Sequence, residues 1–173
     1  MYLVDADVLM RAQNTYYSTA MVPEFWEWLL HHAEAGRLKV PAQMLGEVVA
    51  GNPPAGRHPL VDWIRNGENR AVLQLGEEPD PELVARVVDD CYAPLLTEVE
   101  VAQIGMDPFL VAHALRDREA RMVVTNEVSA PGQRRGKRKM PDACGIVGVR
   151  SCNTFTLLGQ LGFRTDWRAR LER

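Results

Sequence analysis

The sequence predicts an α/β fold, a three-layer α/β/α sandwich with a central parallel sheet. Short apolar runs typical of buried strands alternate with helical stretches, and strands joined through helices pair in parallel. Two of these runs, Tyr2–Val4 and Met122–Thr125, are each followed within two residues by an acid. The chain has 173 residues, of which 46% are hydrophobic, and this suits one domain with its own core. We expect that domain to cover residues 1–163, followed by a charged tail at residues 164–173.

The remaining elements follow from capping residues and apolar periodicity. Pro23 opens a helix that should end before Gly36, because proline favours the first helical turn and glycine the position after the last. Asp107 and Pro108 predict another helix start, with the aspartate as the cap. Further helices are predicted at Val8–Gln13, Pro41–Ala50, His58–Asn66, Pro81–Tyr92, Thr97–Ile104, Pro141–Val147 and Thr154–Leu161. Extended segments are predicted at Leu38–Val40, Ala71–Leu75 and Gly148–Cys152, and loops at Asn52–Gly56 and Ser129–Met140.

Composition narrows the classes of protein. The formal net charge of -3 gives no overall basic field of the kind that attracts nucleic acid. Three cysteines without CxxC spacing argue against a disulfide framework and against a zinc knuckle. The chain has no apolar run as long as a membrane span, and Asp5 follows the first residue too closely for a signal peptide. We therefore expect a cytoplasmic protein without a membrane partner.

The stretch from Leu3 to Leu9 holds two carboxylates, Asp5 and Asp7, where the first predicted strand turns into a helix. In open α/β sheets ligands bind just outside the carboxyl ends of the strands, so both acids are candidates for a functional site. Aspartate is also a favoured residue at a helix N-terminus, and capping alone would account for either one. Glu127 follows the second strand of this kind and gives the functional interpretation its support.

Acids elsewhere in the chain could complete a metal site. Hard divalent cations prefer oxygen ligands, and Mg²⁺ typically binds one or two carboxylates together with waters and substrate phosphate. A cluster of acids at a strand edge is costly without such a cation, because the charges repel one another. The candidate ligands are Asp5, Glu47, Asp107 and Glu127, with Asp7 and Asp142 in reserve.

A dense basic run follows the second strand and could contact phosphates beside the acids. It consists of Arg134, Arg135, Lys137, Arg138 and Lys139, and a merely solvated loop is the alternative. Several aromatic residues could stack on unpaired bases. For Phe25, Trp26 and Trp28 the helical spacing favours a place in the core, which leaves Tyr16 and Tyr17.

The order of these motifs resembles a PIN domain, the ribonuclease fold of bacterial VapC-type toxins. The similar segments are Asp5-Ala6-Asp7-Val8-Leu9, Glu47 within Met44–Val48, Asp107–Ala114, and the strand end Val123-Val124-Thr125-Asn126-Glu127. They run from Tyr2 to about Leu161. Within that family the chain is most similar to a little-characterised PIN-like group, on the segments Phe25–Leu29 and Lys139–Cys144.

The resemblance implies an endoribonuclease that depends on Mg²⁺ or Mn²⁺, acts as a toxin, and has an antitoxin protein and a second copy of itself as partners. It implies that Asp5, Glu47, Asp107 and Glu127 bind the metal, while Asp7, Thr125 and Asn126 orient the site. The chain departs from the family pattern at Glu127, where an aspartate is commoner. Asp142 could then supply the fourth ligand instead.

Two other functions remain open from the sequence. A haloacid-dehalogenase-like phosphatase would use Asp5 as nucleophile and Asp7 as acid, but it leaves Glu47 and Asp107 without a role. A non-catalytic PIN-like module would bind RNA or a protein through its helical faces and basic loop.

Overall fold

A parallel sheet of four short strands forms the centre of the chain in the computed structural model, which describes residues 1–50 and 58–171. The strands lie in the order β2-β1-β3-β4. Val4 pairs with Val124, which pairs with Cys152, so three strands end at the same level. The strands are β1 (Tyr2–Val4), β2 (Leu38–Lys39), β3 (Met122–Val124) and β4 (Arg150–Cys152).

Helices cover both faces of this sheet and complete the three-layer α/β/α sandwich that the sequence predicts. Helices α1 to α5 pack against one another, while α6, α8 and α9 form a second group in which α8 contacts β1 and β3. A π-helical turn, Val88–Tyr92, continues α6, and a 3₁₀ turn, Arg135–Lys137, lies in the loop after β3. The helices are α1 (Ala6–Asn14), α2 (Pro23–Glu34), α3 (Ala42–Ala50), α4 (Pro59–Arg65), α5 (Gly67–Leu73), α6 (Pro81–Val87), α7 (Glu98–Ile104), α8 (Asp107–Leu115), α9 (Met140–Val147), α10 (Thr154–Gln160) and α11 (Arg168–Leu171).

The core contains the apolar residues that the sequence predicts for it. Strands β1 and β3 are buried because helices cover both of their faces, which is why they read as continuous apolar runs. The aromatic cluster of α2 is also in the core, with Phe25, Trp26 and Trp28 each at most 2% exposed. Cys91, Cys144 and Cys152 are free thiols, as their spacing predicts. In residues 1–50 and 58–171, we find no helix with the length and apolar character needed to cross a bilayer.

The strand order creates a topological switch point between β1 and β3. The chain moves from β1 to β2 on one side, and from β3 to β4 on the other. Crossovers in opposite directions leave a crevice at the carboxyl ends of the two central strands, which is the usual ligand site of such sheets. Asp5 and Thr125 are the first residues beyond those two strand ends.

The prediction of an extended segment at Ala71–Leu75 is wrong. Residues up to Leu73 belong to α5, and Gln74 forms a single parallel bridge to Val40. The helix begins here because the Asn66 side chain accepts hydrogen bonds from the amides of Glu68 and Asn69, a capping arrangement that outweighs the apolar pattern. The predicted loop Asn52–Gly56 lies outside the described residues.

The charged tail predicted from residue 164 packs onto the domain. Trp167 is 8% exposed, and its ring centroid lies 5.0 Å from that of His31. Its indole nitrogen donates a hydrogen bond of 3.2 Å to the carbonyl of Glu24, and Arg168 pairs with Glu27 at 2.9 Å. The packed unit therefore extends beyond residue 163.

Replacing Trp167 by alanine should lower the free energy of unfolding by about 3 kcal/mol, because removal of the indole leaves a cavity against α2. Arg164→Ala, in the same segment but exposed, should cost less than about 0.5 kcal/mol. Urea denaturation of both variants measures the difference. A wild-type midpoint for Trp167→Ala would show that the segment does not contribute to the fold.

Candidate active site

Asp5 and Thr125 form the centre of the candidate site, at the crevice between β1 and β3. The Thr125 hydroxyl donates a hydrogen bond of 2.8 Å to Asp5 Oδ2, and both residues are at most 5% exposed. Asp5 occupies the N-cap position of α1, yet its side chain makes no capping hydrogen bond. The capping alternative therefore does not account for Asp5, and its carboxyl group faces Thr125 instead.

Asp7 lies beside this pair, in the first turn of α1. Its Oδ1 accepts a hydrogen bond of 3.3 Å from the amide of Asn126, and its Oδ2 lies 3.6 Å from Arg11 Nε. Oδ2 is buried and has no hydrogen-bond partner among the described residues. One oxygen of Asp7 thus ties α1 to the residues after β3, while the other remains a candidate ligand atom.

Asp107 and Glu47 approach the same crevice from two other helices. Asp107 is the first residue of α8 rather than its cap, which is Met106, so the capping prediction for Asp107 is wrong by one position. The backbone turns sharply into α8 at Gly105, whose φ of +48° is a conformation that L side chains rarely adopt. A Cβ on Gly105 would lie 3.4 Å from Glu47 Oε1, so the Glu47 carboxylate lies over this turn.

The charges of these acids act on one another. The pKa of Asp107 is raised to about 8, mainly by burial and then by the charges of Asp5, Glu127 and Glu47 in that order. Burial is also the main cause that raises the pKa of Asp5, followed by the charge of Asp7. The pKa of Glu47 is raised by burial and then by Asp7. Acids from the end of β1, from α3 and from α8 thus form one electrostatic cluster, although they are far apart in the sequence.

Glu127 and Asp142 make different contacts. Glu127 Oε1 accepts a hydrogen bond of 2.8 Å from Lys139 Nζ, and Oε2 accepts one of 2.7 Å from the amide of Met140. Asp142 accepts hydrogen bonds from the Ser129 hydroxyl and from the amide of Ala130. Each carboxylate has both oxygens engaged, so in this conformation each one fastens the loop after β3 to the start of α9.

The side chains of the basic run differ in their contacts and in their exposure. Arg135 forms an ion pair of 2.6 Å with Glu100 and also donates to the carbonyl of Leu95. Lys139 is held by Glu127, as described above. Arg134 and Lys137 are exposed, and Arg138 is half-buried. Of the five basic residues, Arg134 and Lys137 are the ones most available to a phosphate.

A family model for a domain of unknown function (DUF4411) matches residues 2–165. The chain belongs to this family. Comparisons with curated proteins and with solved structures gave no match. Membership of the DUF4411 family therefore covers the whole sheet and the candidate site, and it assigns no activity to either.

The candidate site of this DUF4411 protein includes three residues that the sequence motifs did not reveal. Tyr92, at the end of the π-helical turn, is 5% exposed and its hydroxyl has no partner in the described part of the chain. Asp107 is the charged group that most raises the pKa of Tyr92 after burial itself. Thr154 bonds to Asn126 Oδ1 through its hydroxyl at 2.8 Å, and Arg11 reaches Asp7 from one turn along α1. Only the i, i+4 spacing of Arg11 and Asp7 could have been found from the sequence.

The fit of a divalent cation depends on which ligands it needs. Within the described residues, no group of three or more His, Cys, Asp or Glu side chains is arranged to hold a metal ion. Mg²⁺ does not require such a group, since one or two carboxylates with waters and substrate phosphate suffice. Asp5, Asp7, Glu47 and Asp107 offer carboxylate oxygens only, and Asp7 Oδ2 is buried without a hydrogen bond from any described residue. The donor chemistry therefore fits a hard cation.

Asp107→Asn should stabilise the metal-free protein in alkaline solution. The pKa of Asp107 is raised from 3.8 to about 8, so the folded state binds a proton that the unfolded state releases between these values. Stability is thus lost as pH rises through this window, and asparagine removes the loss. Thermal unfolding in EDTA should show a gain in Tm that grows from about pH 4 to about pH 8 and then stays constant, at roughly 2–4 °C per kcal/mol.

Asp62→Asn, an exposed acid on α4, is the matched control and should leave Tm nearly unchanged throughout. A pH-independent effect of Asp107→Asn would contradict the electrostatic account of the cluster.

Thr125→Val should destabilise the protein by about 1–3 kcal/mol, because it leaves buried Asp5 Oδ2 without its donor. Thr125→Ser restores the hydroxyl and should recover most of that loss in a denaturant titration. Thr156→Val, on the exposed face of α10, controls for the exchange of threonine by valine. Equal destabilisation by Ser and Val at position 125 would show that packing, not the hydrogen bond, is responsible.

Proposed function

We propose that the chain is a Mg²⁺- or Mn²⁺-dependent endoribonuclease with its active site at the β1/β3 switch point. One observation carries this proposal. Asp5, Glu47 and Asp107 come from three different parts of the chain, at the crevice where sheets of this topology bind ligands. The negative charges of Asp5 and Glu47 raise the pKa of Asp107, and that of Glu47 also raises the pKa of Asp5. Keeping like charges together costs stability, and the cost is recovered when a cation binds.

Each residue has a defined part in the proposed reaction. Asp5, Glu47 and Asp107 would hold the ion, and Asp7 Oδ2 is the next available oxygen. Thr125 fixes the direction of the Asp5 carboxyl group, and the backbone amide of Asn126 fixes that of the Asp7 carboxyl group. When bound, the ion supplies Lewis-acid polarisation of the phosphodiester and acidifies a water molecule. Lys139 and the Met140 amide keep Glu127 in place beside this centre, and Glu127 contributes negative charge to it.

The PIN-like order of motifs supports RNA as the substrate, as do the exposed Arg134 and Lys137 in the loop between β3 and α9. The same resemblance extends the proposal to the toxin of a bacterial toxin–antitoxin pair, with an antitoxin protein and a second copy of the chain as partners. Three free cysteines agree with a reducing cytoplasm.

Cleavage of RNA tests the proposal directly. Wild type, Asp5→Asn and Asp107→Asn are incubated with single-stranded and structured RNA in Mg²⁺, in Mn²⁺ and in EDTA, with Asp62→Asn as control. We expect metal-dependent fragments from wild type and the control, and a loss of about 100-fold or more in both site variants. Circular dichroism confirms that the variants remain folded.

Other outcomes favour the alternatives. Hydrolysis of an aryl phosphate with a trapped aspartyl-phosphate at Asp5 would replace the nuclease by a haloacid-dehalogenase-like phosphatase. RNA binding without cleavage by folded, metal-loaded protein would favour a non-catalytic binding module.

A further inference from the structure

A small cavity of about 270 Å³ opens next to the acidic cluster, on the side of α1. Its polar end shares Asn126 with the candidate site, and Arg11 on its wall is the residue that pairs with Asp7. The volume lies just below the range of about 300–1,000 Å³ that is typical of small-molecule pockets. The cavity therefore has room for one flat ring system rather than for a large cofactor.

Two exposed aromatic rings line this cavity. Tyr16 follows the end of α1 and is 70% exposed, and Phe155 lies in the first turn of α10 and is 65% exposed. They are 139 positions apart in sequence (155 minus 16), so the fold itself brings them to one place. Exposed rings that share a polar-ended pocket are typical of a surface that stacks on a ligand.

The floor of the cavity is firmly built. The Tyr17 ring stacks on Phe25 with a centroid distance of 4.7 Å and an interplanar angle of 11°. Phe25 is 1% exposed and belongs to the core, so the Tyr17 side of the cavity is anchored to the rest of the fold. A ligand that enters therefore meets a preformed surface.

The polar end of the cavity presents hydrogen-bond donors. Asn126 Oδ1 accepts bonds from the amide and the hydroxyl of Thr154, at 3.2 and 2.8 Å. This holds the side-chain amide in one orientation, and both of these bonds use its oxygen rather than its NH₂ group. The Arg11 guanidinium, on a side chain that is 62% exposed, adds a cation at the same end. Such donors match the carbonyl and ring-nitrogen acceptors of a nucleobase and the oxygens of its phosphate.

We propose that this cavity binds one unpaired base of a single-stranded RNA, stacked against Tyr16 and Phe155, and thereby sets which phosphate lies at the carboxylates. This deepens the proposed function and rests on it for the meaning of that placement. Binding of the base itself is a separate property, because Tyr16 and Phe155 are not among the residues of the acidic site. A purely apolar groove would suit a protein side chain, whereas the Arg11 cation and the Asn126 side-chain amide favour a nucleotide.

Binding of a short, fluorescently labelled single-stranded RNA in EDTA tests this, since no metal is present to support cleavage. Fluorescence anisotropy compares wild type, Tyr16→Ala and Phe155→Ala with Tyr16→Phe and Phe155→Tyr, which keep a ring. Val99→Ala, which removes an exposed apolar side chain on α7, is the control. We expect about 10-fold weaker binding for each alanine variant, and near wild-type binding for the ring-retaining variants and the control. Duplex RNA of the same sequence should not distinguish the variants, because its bases are already stacked.

The outcomes separate this inference from the proposed function. If wild type cleaves RNA and both alanine variants bind and cleave as it does, the base pocket is overturned and the nuclease stands. If the alanine variants lose single-strand binding while wild type never cleaves with metal, the pocket stands and the nuclease is overturned. An equal loss for duplex and single strand, or no binding by wild type, also overturns the pocket.

Discussion

One buried carboxyl group, that of Asp5, lies among the half-buried carboxyl groups of Asp7, Glu47 and Asp107, and this is the constraint on which the rest of the structure depends. Asp5 stands at the end of β1, the strand at the centre of the sheet next to the switch point, and Asp107 and Glu47 reach the same crevice from α8 and α3. The metal-free protein meets the cost by holding protons, as the raised pKa values of Asp107 and Asp5 show. A group of residues that costs stability in this way is characteristic of functional sites.

The residues around the acids limit this cost without removing the charges. The Thr125 hydroxyl donates a hydrogen bond to Asp5, and Lys139 forms an ion pair with Glu127. Asp7 accepts a hydrogen bond from the backbone amide of Asn126 and forms an ion pair with Arg11. The Glu127 contacts have a second effect, since they anchor the start of α9 to the end of β3. The loop that carries the basic residues is fixed at its other side by Arg135 and Glu100, and by Gly136, where a Cβ would lie 2.9 Å from the Glu100 backbone. The site is therefore framed by contacts that also build the fold.

Most of the fold could be predicted from the sequence, because its signals are local. The apolar runs at β1 and β3, Pro23 and Gly36 around α2, and the capping box of Thr97 and Glu100 all act within a few residues. The segment Ala71–Leu75 was predicted wrongly because its apolar pattern suits a strand, while the Asn66 cap upstream directs it into a helix. The acids at strand ends were also predictable as candidates, since parallel strands present their carboxyl ends at one edge.

The geometry of the site could not be predicted from the sequence. Whether Glu47 and Asp107 face Asp5 depends on how α3 and α8 pack and on the turn at Gly105, which are tertiary features. The partners of Glu127 and Asp142 could not be predicted either. The sequence around a glutamate does not show whether its carboxylate bonds to a lysine or faces a metal site. The cavity beside Asp7 depends on Tyr16 and Phe155, which are remote in sequence, lining the same pocket.

Direct titration of Mn²⁺ tests the central claim, that the acids at the β1/β3 crevice form a cation site. The free ion is followed by its electron paramagnetic resonance signal, with wild type, Asp5→Asn, Asp107→Asn and Asp62→Asn at about pH 8. The account predicts saturable binding by wild type and by the Asp62 variant, and its loss in both crevice variants. Binding that is absent in wild type, or that persists unchanged in the two crevice variants, would contradict it.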